Sequence, residues 1–156
     1  MHTLESVTEK IEELGLFLPE TPEAKGNYLP YVIAGKIVTL SGTLPIAEGK
    51  VAYTGQVGEV QSIESGYESA RLCALNALAN LRAASNDFKS LKRIISVTGF
   101  VNSVNGFVDS PKVINGASDF LVSVFGESGQ HARVAVSTNG LPLNATTETQ
   151  IVAELV

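Results

Sequence analysis

Apolar residues recur every three or four positions near the start of the chain, at Leu4, Val7, Ile11 and Leu14. This spacing predicts a short amphipathic helix. Ser6 and Glu9 resemble a capping box at its start, and Gly15 is expected to end it. A longer helix is predicted after Ser62, which could cap its first turn, and it should end near 85–87. Its buried stripe is expected to consist of Leu72, Leu75, Leu78 and Leu81.

β-branched and aromatic runs bounded by glycine, proline or asparagine predict strands in much of the remaining chain. The predicted strands are 31–33, 36–41, 91–101, 132–138 and 146–155. A further helix is predicted over 111–125. The resulting order is β-β-α-β-α-β-β after an N-terminal helix, which favours an α+β sandwich with helices on one face of a sheet. The other sheet face then needs a partner, so we expect oligomerisation through it.

Length and composition favour one domain in a reducing compartment. The chain has 156 residues with 44% hydrophobic content, enough for a single core. Cys73 is the only cysteine, so no intrachain disulfide can form. The N-terminal segment is acidic and helical where a secretory signal would be basic and then apolar. We therefore expect a cytoplasmic protein.

The charge pattern argues against membranes and nucleic acids as partners. No stretch approaches the roughly 20 apolar residues that a membrane-spanning helix needs. The formal net charge is −5, and the cations cluster only at Lys89, Lys92 and Arg93. Nucleic-acid binding usually requires a larger basic surface. His2, His131 and Cys73 have spacings that match no familiar metal site.

Two charged residues interrupt strand patterns that are otherwise apolar or small. Arg133 lies early in the run 132–136, and Glu148 lies in the last predicted strand. A buried guanidinium needs an acceptor or a ligand. If the last two strands form a symmetric hairpin about 139–142, Arg133 and Glu148 face each other directly. They would then be either a structural ion pair or part of a ligand site, and position alone does not decide.

Several short motifs stand in a fixed order along the chain. They are Gly26-Asn27-Tyr28, Leu40-Ser41-Gly42-Thr43-Leu44-Pro45, Phe107 with Asn115, and Ala132-Arg133-Val134-Ala135-Val136 followed by Leu141-Pro142. Together they resemble the motifs of the YjgF/RidA family, also called the endoribonuclease L-PSP family, and Glu148 follows Arg133 at the distance that separates the corresponding residues in that family. The resemblance covers 25–155, so 1–24 is expected to be an extension of helix and loop, and 25–156 the family domain.

The resemblance implies a chorismate-mutase-like fold and a homotrimer with three clefts between adjacent subunits. It also implies a hydrolase that deaminates reactive 2-imino and 2-enamino acids without a metal or cofactor. Arg133 would hold the substrate carboxylate, and Glu148 would activate the attacking water. The substrate-binding residues would be Tyr28, Ser41, Gly42, Asn115 and Ala135, the last through its backbone carbonyl.

Several departures from the family pattern fall at or near the expected site. Asn27 replaces a proline, Thr43 replaces a glutamine, and Ala135 stands where many members have cysteine. The segment 108–114 is also longer than in compact members. We therefore expect a reshaped cleft with its own substrate preference.

Two other functions are compatible with the same motifs. One is a non-catalytic trimer that binds small carboxylates and has a regulatory or protein-stabilising role. The other is the ribonuclease activity that the older family name suggests. The acidic balance and the absence of paired catalytic histidines count against the ribonuclease.

Overall fold

The computed structural model describes residues 1–21, 23 and 26–156. Its helices are α1 (Leu4–Glu13), α2 (Ile63–Ala84) and α3 (Ser110–Phe125). Its strands are β1 (Tyr31–Ala34), β2 (Ile37–Leu40), β3 (Ile46–Ala47), β4 (Lys50–Val51), β5 (Leu91–Asn102), β6 (Ala132–Thr138) and β7 (Thr147–Leu155). The predicted helices and strands are confirmed to within a few residues. The small β3–β4 hairpin was not predicted.

Five strands form one mixed sheet in the order β1-β2-β7-β5-β6. β5 and β6 run parallel, whereas β1, β2, β7 and β5 pair with their neighbours in antiparallel fashion. A parallel pair needs a crossover connection, and α3 provides it between β5 and β6. The predicted α+β sandwich with a mixed sheet is therefore confirmed.

The symmetric hairpin considered for the last two strands does not form. β6 and β7 both pair with β5, which lies between them. The connection at 139–142 carries the chain across the end of β5 and does not reverse it between neighbouring strands. Strands adjacent in sequence often pair, but a parallel crossover before them can change their neighbours.

The core lies between the helices and one face of the sheet. α2 contributes a buried leucine stripe at 75, 78 and 81, whereas Leu72 is only partly buried. α3 packs against α2, and α1 adds Val7 and Ile11 to the same core. Burying one such side chain contributes about 1.5 to 3 kcal/mol. All three helices are thus held by a single core.

The helix ends follow local capping rules. Ser62 caps α2 as predicted, with its hydroxyl accepting from the Ser65 amide at 3.0 Å. The predicted Ser6–Glu9 box of α1 is wrong, because the cap is Thr3 and its partner is Ser6. The helix begins earlier than expected, and a capping box joins residues three apart at the true start. Gly15 has a φ of +73° and ends α1 as predicted.

The second face of the sheet carries no helix in the described part of the chain. We call it the open face. It presents apolar side chains that are 38 to 56% exposed, namely Val32, Ile37, Val134 and Val136. These residues lie on strands at or beside the two edges of the sheet, and exposed apolar surface commonly marks an interaction site. No described helix is long and apolar enough to cross a membrane.

The predicted division into 1–24 and 25–156 falls on residues 24 and 25, which lie outside the described residues. It stays a prediction.

Candidate functional site

Glu148 lies on β7 and faces a cavity at one end of the open face. The cavity has a volume of about 470 Å³. Within the described residues, the carboxylate has no ion-pair or hydrogen-bond partner. Burial raises the pKa of Glu148 above its ordinary value, because the charged form loses solvation. The other lining residues are Gly42, Phe100, Val136, Ser137, Thr138, Leu141 and Gln150.

Gly42 touches the carboxylate of Glu148. A Cβ at this position would overlap Glu148 Oε1, so only glycine allows the present arrangement. The neighbouring Thr43 fixes this approach through two backbone hydrogen bonds with Thr149, of 2.8 and 3.1 Å. Its hydroxyl also donates to the carbonyl oxygen of Cys73 at 2.9 Å. Thr43 therefore ties the segment after β2 to both β7 and α2.

Tyr28 and Ser41 lie near Gly42 in the chain but are not among the residues that line the cavity. The Ser41 hydroxyl donates to the Leu29 carbonyl oxygen at 2.6 Å, which secures the segment before β1. Tyr28 is 58% exposed. Of these three residues, Gly42 alone is among those that line the cavity.

Arg133 lies on β6, the edge strand, and is partly buried. Its Nη1 donates to Asn115 Oδ1 at 2.8 Å and to Ser118 Oγ at 3.2 Å, both on α3. It forms no ion pair with a described carboxylate. The structure thus brings Arg133 and Asn115 together, and Ala135 follows on the same strand face. We call Arg133, Asn115, Ser118 and His131 the Arg133 cluster.

Arg133 and Glu148 do not face each other within one chain. Arg133 pairs with Val97 of β5, and Glu148 pairs with Phe100 of the same strand. Val97 and Phe100 are three residues apart and therefore point to opposite faces. The two pairs are also about 10 Å apart along β5, on strands about 10 Å apart. The cross-strand ion pair is therefore excluded, because β5 separates the strands and the side chains diverge.

Ser118 and His131 were missed by the sequence analysis. His131 Nε2 lies 2.9 Å from Ser118 Oγ, and His131 Nδ1 lies 2.6 Å from the Gly129 carbonyl oxygen. A signal was available, because His131 precedes Arg133 by two positions and can share its strand face. Asn115 and Ser118 likewise share a helix face at a spacing of three.

The remaining cysteine and histidine lie elsewhere. Cys73 is buried beneath β7, and burial raises the pKa of its thiol to about 12. A thiol with that pKa is a poor nucleophile near neutral pH. The His2 ring meets the Phe125 ring edge-on at a centroid distance of 5.1 Å. Among the described residues, no group of three or more histidine, cysteine or acidic side chains is placed to hold a metal ion.

Comparison with known proteins shows the family. Residues 9–155 match the family described as "YjgF/chorismate mutase-like, putative endoribonuclease". The chain therefore belongs to the YjgF family, and the predicted fold relationship is confirmed. Protein TCP17 of Trypanosoma cruzi is 38% identical over 150 residues, which cover 96% of this chain and 94% of that protein.

Two crystal structures support the same fold over nearly the whole chain. Atu1372 from Agrobacterium tumefaciens, a protein with unknown function, is 41% identical with a TM-score of 0.93, covering 98% of this chain and 94% of that chain. A "putative endoribonuclease" from Shewanella oneidensis MR-1 is 37% identical with a TM-score of 0.91, covering 99% and 100% of the two chains.

Proposed function

We propose that this protein hydrolyses reactive 2-imino and 2-enamino acids to 2-oxo acids and ammonia, in clefts shared by neighbouring subunits of a homotrimer. The observation that carries the proposal is the Glu148 carboxylate. It faces a cavity, lacks a polar partner among the described residues, and has a raised pKa. A carboxylate in this environment can accept and return a proton, which imine hydrolysis requires.

The chemistry needs one proton shuttle and an oriented substrate. Water attacks the iminium carbon, a C–O bond forms, and the electron pair of the C=N double bond moves to nitrogen. Glu148 takes a proton from the water and then delivers it to the nitrogen. The hydroxyl group then gives its remaining proton to Glu148 as its oxygen forms the C=O bond of a 2-oxo acid, and the C–N bond breaks to release ammonia. Glu148 loses this proton to ammonia or solvent and is ready for the next cycle. An iminium carbon is already electrophilic, so positioning and one carboxylate suffice.

The substrate carboxylate would bind to Arg133. A guanidinium forms paired, charge-assisted hydrogen bonds with a carboxylate. Because Arg133 and Glu148 point to opposite faces of one sheet, a single chain does not present both groups to one small ligand. We infer that Arg133 of one subunit completes the Glu148 cavity of its neighbour. The edge position of β6 leaves Arg133 available for such a contact.

The open face supports assembly. Its exposed valines and isoleucine, at 32, 37, 134 and 136, remain in contact with water in an isolated chain. Their burial between subunits would remove that apolar surface from water. A cyclic arrangement of three chains gives three identical clefts, each built from two different surface regions.

The available observations favour a carboxylate substrate over RNA. The family description and the Shewanella relative's name both refer to endoribonuclease activity. The described residues that line the Glu148 cavity include no lysine, arginine or histidine, and the chain has a net charge of −5. Recognition of a phosphate backbone depends largely on cations.

Replacing Glu148 by glutamine tests the proposal. Gln keeps the size and one acceptor oxygen but cannot take a proton from water. With imines generated in situ by an amino-acid oxidase, kcat should fall by about 100- to 10,000-fold while KM changes little. The assay follows imine loss above the spontaneous rate for a panel of amino acids.

Glu154→Gln is the matched control, because Glu154 lies on the same strand and face but forms an ion pair with Lys92 at 2.8 Å. It should retain wild-type turnover. Full activity in Glu148→Gln would end the catalytic assignment. If the wild type binds 2-oxo acids without hydrolysing any imine of the panel, the non-catalytic carboxylate-binding trimer is correct instead.

A further inference from the structure

The guanidinium of Arg133 is held from one side. The two hydrogen bonds to Asn115 Oδ1 and Ser118 Oγ both come from Nη1, which has only two hydrogens to donate. Nε and Nη2 have no acceptor among the described residues. These two nitrogens donate in parallel along one edge of the planar group, which matches the two oxygens of a carboxylate. The edge formed by Nε and Nη2 can therefore bind a carboxylate through two hydrogen bonds at once.

The hydrogen-bond directions around Ser118 are fixed by His131. The Gly129 carbonyl oxygen can only accept, so His131 Nδ1 carries the hydrogen at that 2.6 Å contact. In the neutral ring, Nε2 is then an acceptor and receives the Ser118 hydroxyl hydrogen at 2.9 Å. The Ser118 oxygen keeps its lone pairs for Arg133 Nη1. The hydrogen bonds therefore run in one direction, from Arg133 to Ser118, from Ser118 to His131, and from His131 to the Gly129 carbonyl oxygen.

The Gly129 end of this series of hydrogen bonds is packed against α3. Gly129 closes the short 3-10 helix Gly126–Gly129 after α3 and is buried. A side chain at Gly129 would overlap the backbone of Leu121, so this turn packs directly on α3. The carbonyl that orients His131 is thus fixed to the same helix that carries Asn115 and Ser118.

We propose that His131 is a positioning residue for the substrate carboxylate, acting through Ser118 to hold Arg133 so that its Nε–Nη2 edge faces the ligand. This inference rests on the proposed role of Arg133 as the carboxylate-binding group. Without the acceptor that His131 provides, the Ser118 hydroxyl is free to rotate and Arg133 loses a directed partner. An arginine side chain has many rotamers, so ordering it again on binding would cost affinity.

The experiment measures carboxylate binding separately from turnover. Pyruvate, a simple 2-oxo acid, is titrated into the wild type, His131→Leu, His131→Gln and Ser118→Ala by calorimetry. His131→Leu and Ser118→Ala should bind pyruvate about 10-fold more weakly. His131→Gln can still accept the Ser118 hydrogen and should recover part of the affinity. In the imine assay, KM should rise while kcat stays within about 2-fold.

His2→Leu is the matched control, because it makes the same replacement at a histidine that contacts Phe125 instead of Arg133. It should bind pyruvate like the wild type. Melting temperatures identify any variant that is unfolded, and Ser118→Ala tests the same contact if His131→Leu does not fold.

The possible outcomes separate the two proposals. Wild-type affinity in folded His131→Leu and Ser118→Ala, with binding lost in Arg133→Ala, would overturn the role of His131 and leave the proposed function intact. Binding that depends on His131 in a protein that hydrolyses no imine would support the inference and overturn the hydrolase. Absence of pyruvate binding in the wild type would overturn both.

Discussion

The Glu148 cavity and the Arg133 cluster lie in one chain but are built in different ways. The carboxylate of Glu148 faces open space with no polar partner among the described residues, and its pKa is raised. The guanidinium of Arg133 is fixed by hydrogen bonds that run back to a backbone carbonyl. The first arrangement leaves a group free to exchange protons, and the second prepares a group to bind. We therefore expect substitutions near Glu148 to affect turnover and those near Arg133 to affect affinity.

The largest change in activity is expected when the Arg133 cluster and the Glu148 cavity of one cleft come from two different variant chains. Arg133→Ala and Glu148→Gln proteins should each retain about 1% or less of wild-type activity at low substrate concentration. In mixed trimers, a cleft that takes Arg133 from one chain and Glu148 from its neighbour is intact in about a quarter of random pairings. Unfolding and refolding the two variants together should therefore restore about 25% of wild-type activity.

Each variant refolded alone is the control and should stay inactive. Sedimentation equilibrium should give three times the chain mass of 16.4 kDa for all samples. If the mixed sample is a trimer and remains as inactive as its parents, the two groups do not share a cleft between chains.

Gly42→Ala should disturb only the Glu148 region. The added methyl would overlap Glu148 Oε1, which lies at the end of a flexible side chain and can move. The fold should survive, while displacement of the carboxylate should lower kcat by about 10- to 100-fold. Gly140→Ala is a suitable control, because a Cβ there meets no atom within 4 Å. Equal activity in both variants would show that the position of the Glu148 carboxylate does not matter.

A smaller effect is expected on stability. Because burial raises the folded-state pKa of Glu148, the native state binds more protons than the unfolded state. This residue's contribution to stability is therefore lost as pH rises from its ordinary pKa of 4.5 through the raised value. Glu148→Gln removes that loss and should melt about 1 to 2 °C higher than the wild type at pH 7.

The difference should shrink below about pH 4, where the wild-type carboxyl is protonated in both states. Glu154→Gln removes an ion pair instead and should not raise the melting temperature. A lower melting temperature for Glu148→Gln at neutral pH would contradict this prediction, because it would mean that Arg133 of a neighbouring subunit stabilises the charged carboxylate by more than burial destabilises it.

Local sequence signals predicted the helices and strands, and the tight turn at Ala34-Gly35 indicated the β1–β2 hairpin, but they did not predict the neighbours of the last two strands. Ser62 and the leucine stripe were sufficient for α2, because capping and helical spacing act within a few residues. The β3–β4 hairpin has strands of two residues, too short for a periodic pattern. The position of β5 between β6 and β7 depends on the α3 crossover, and alternation along a strand contains no information about its neighbours.

For the candidate site, too, the sequence indicated individual residues but not how they are arranged. Arg133 stood out because a charge in a run of small apolar residues needs a partner, and Asn115 and Ser118 accept hydrogen bonds from one of its nitrogens. Its relation to Glu148 was left open by the sequence, because that relation depends on strand order. The contact of Gly42 with Glu148 joins residues more than a hundred positions apart, so no local pattern could reveal it.

The opposed directions of Arg133 and Glu148 in the sheet have a consequence for how the protein would behave at different concentrations. Rotation of side chains cannot carry both groups to the same face of the sheet. Dilution below the concentration at which the subunits separate would therefore abolish turnover. Activity per chain would rise with the number of copies present, so that newly made protein would begin to work only after enough copies had accumulated to associate.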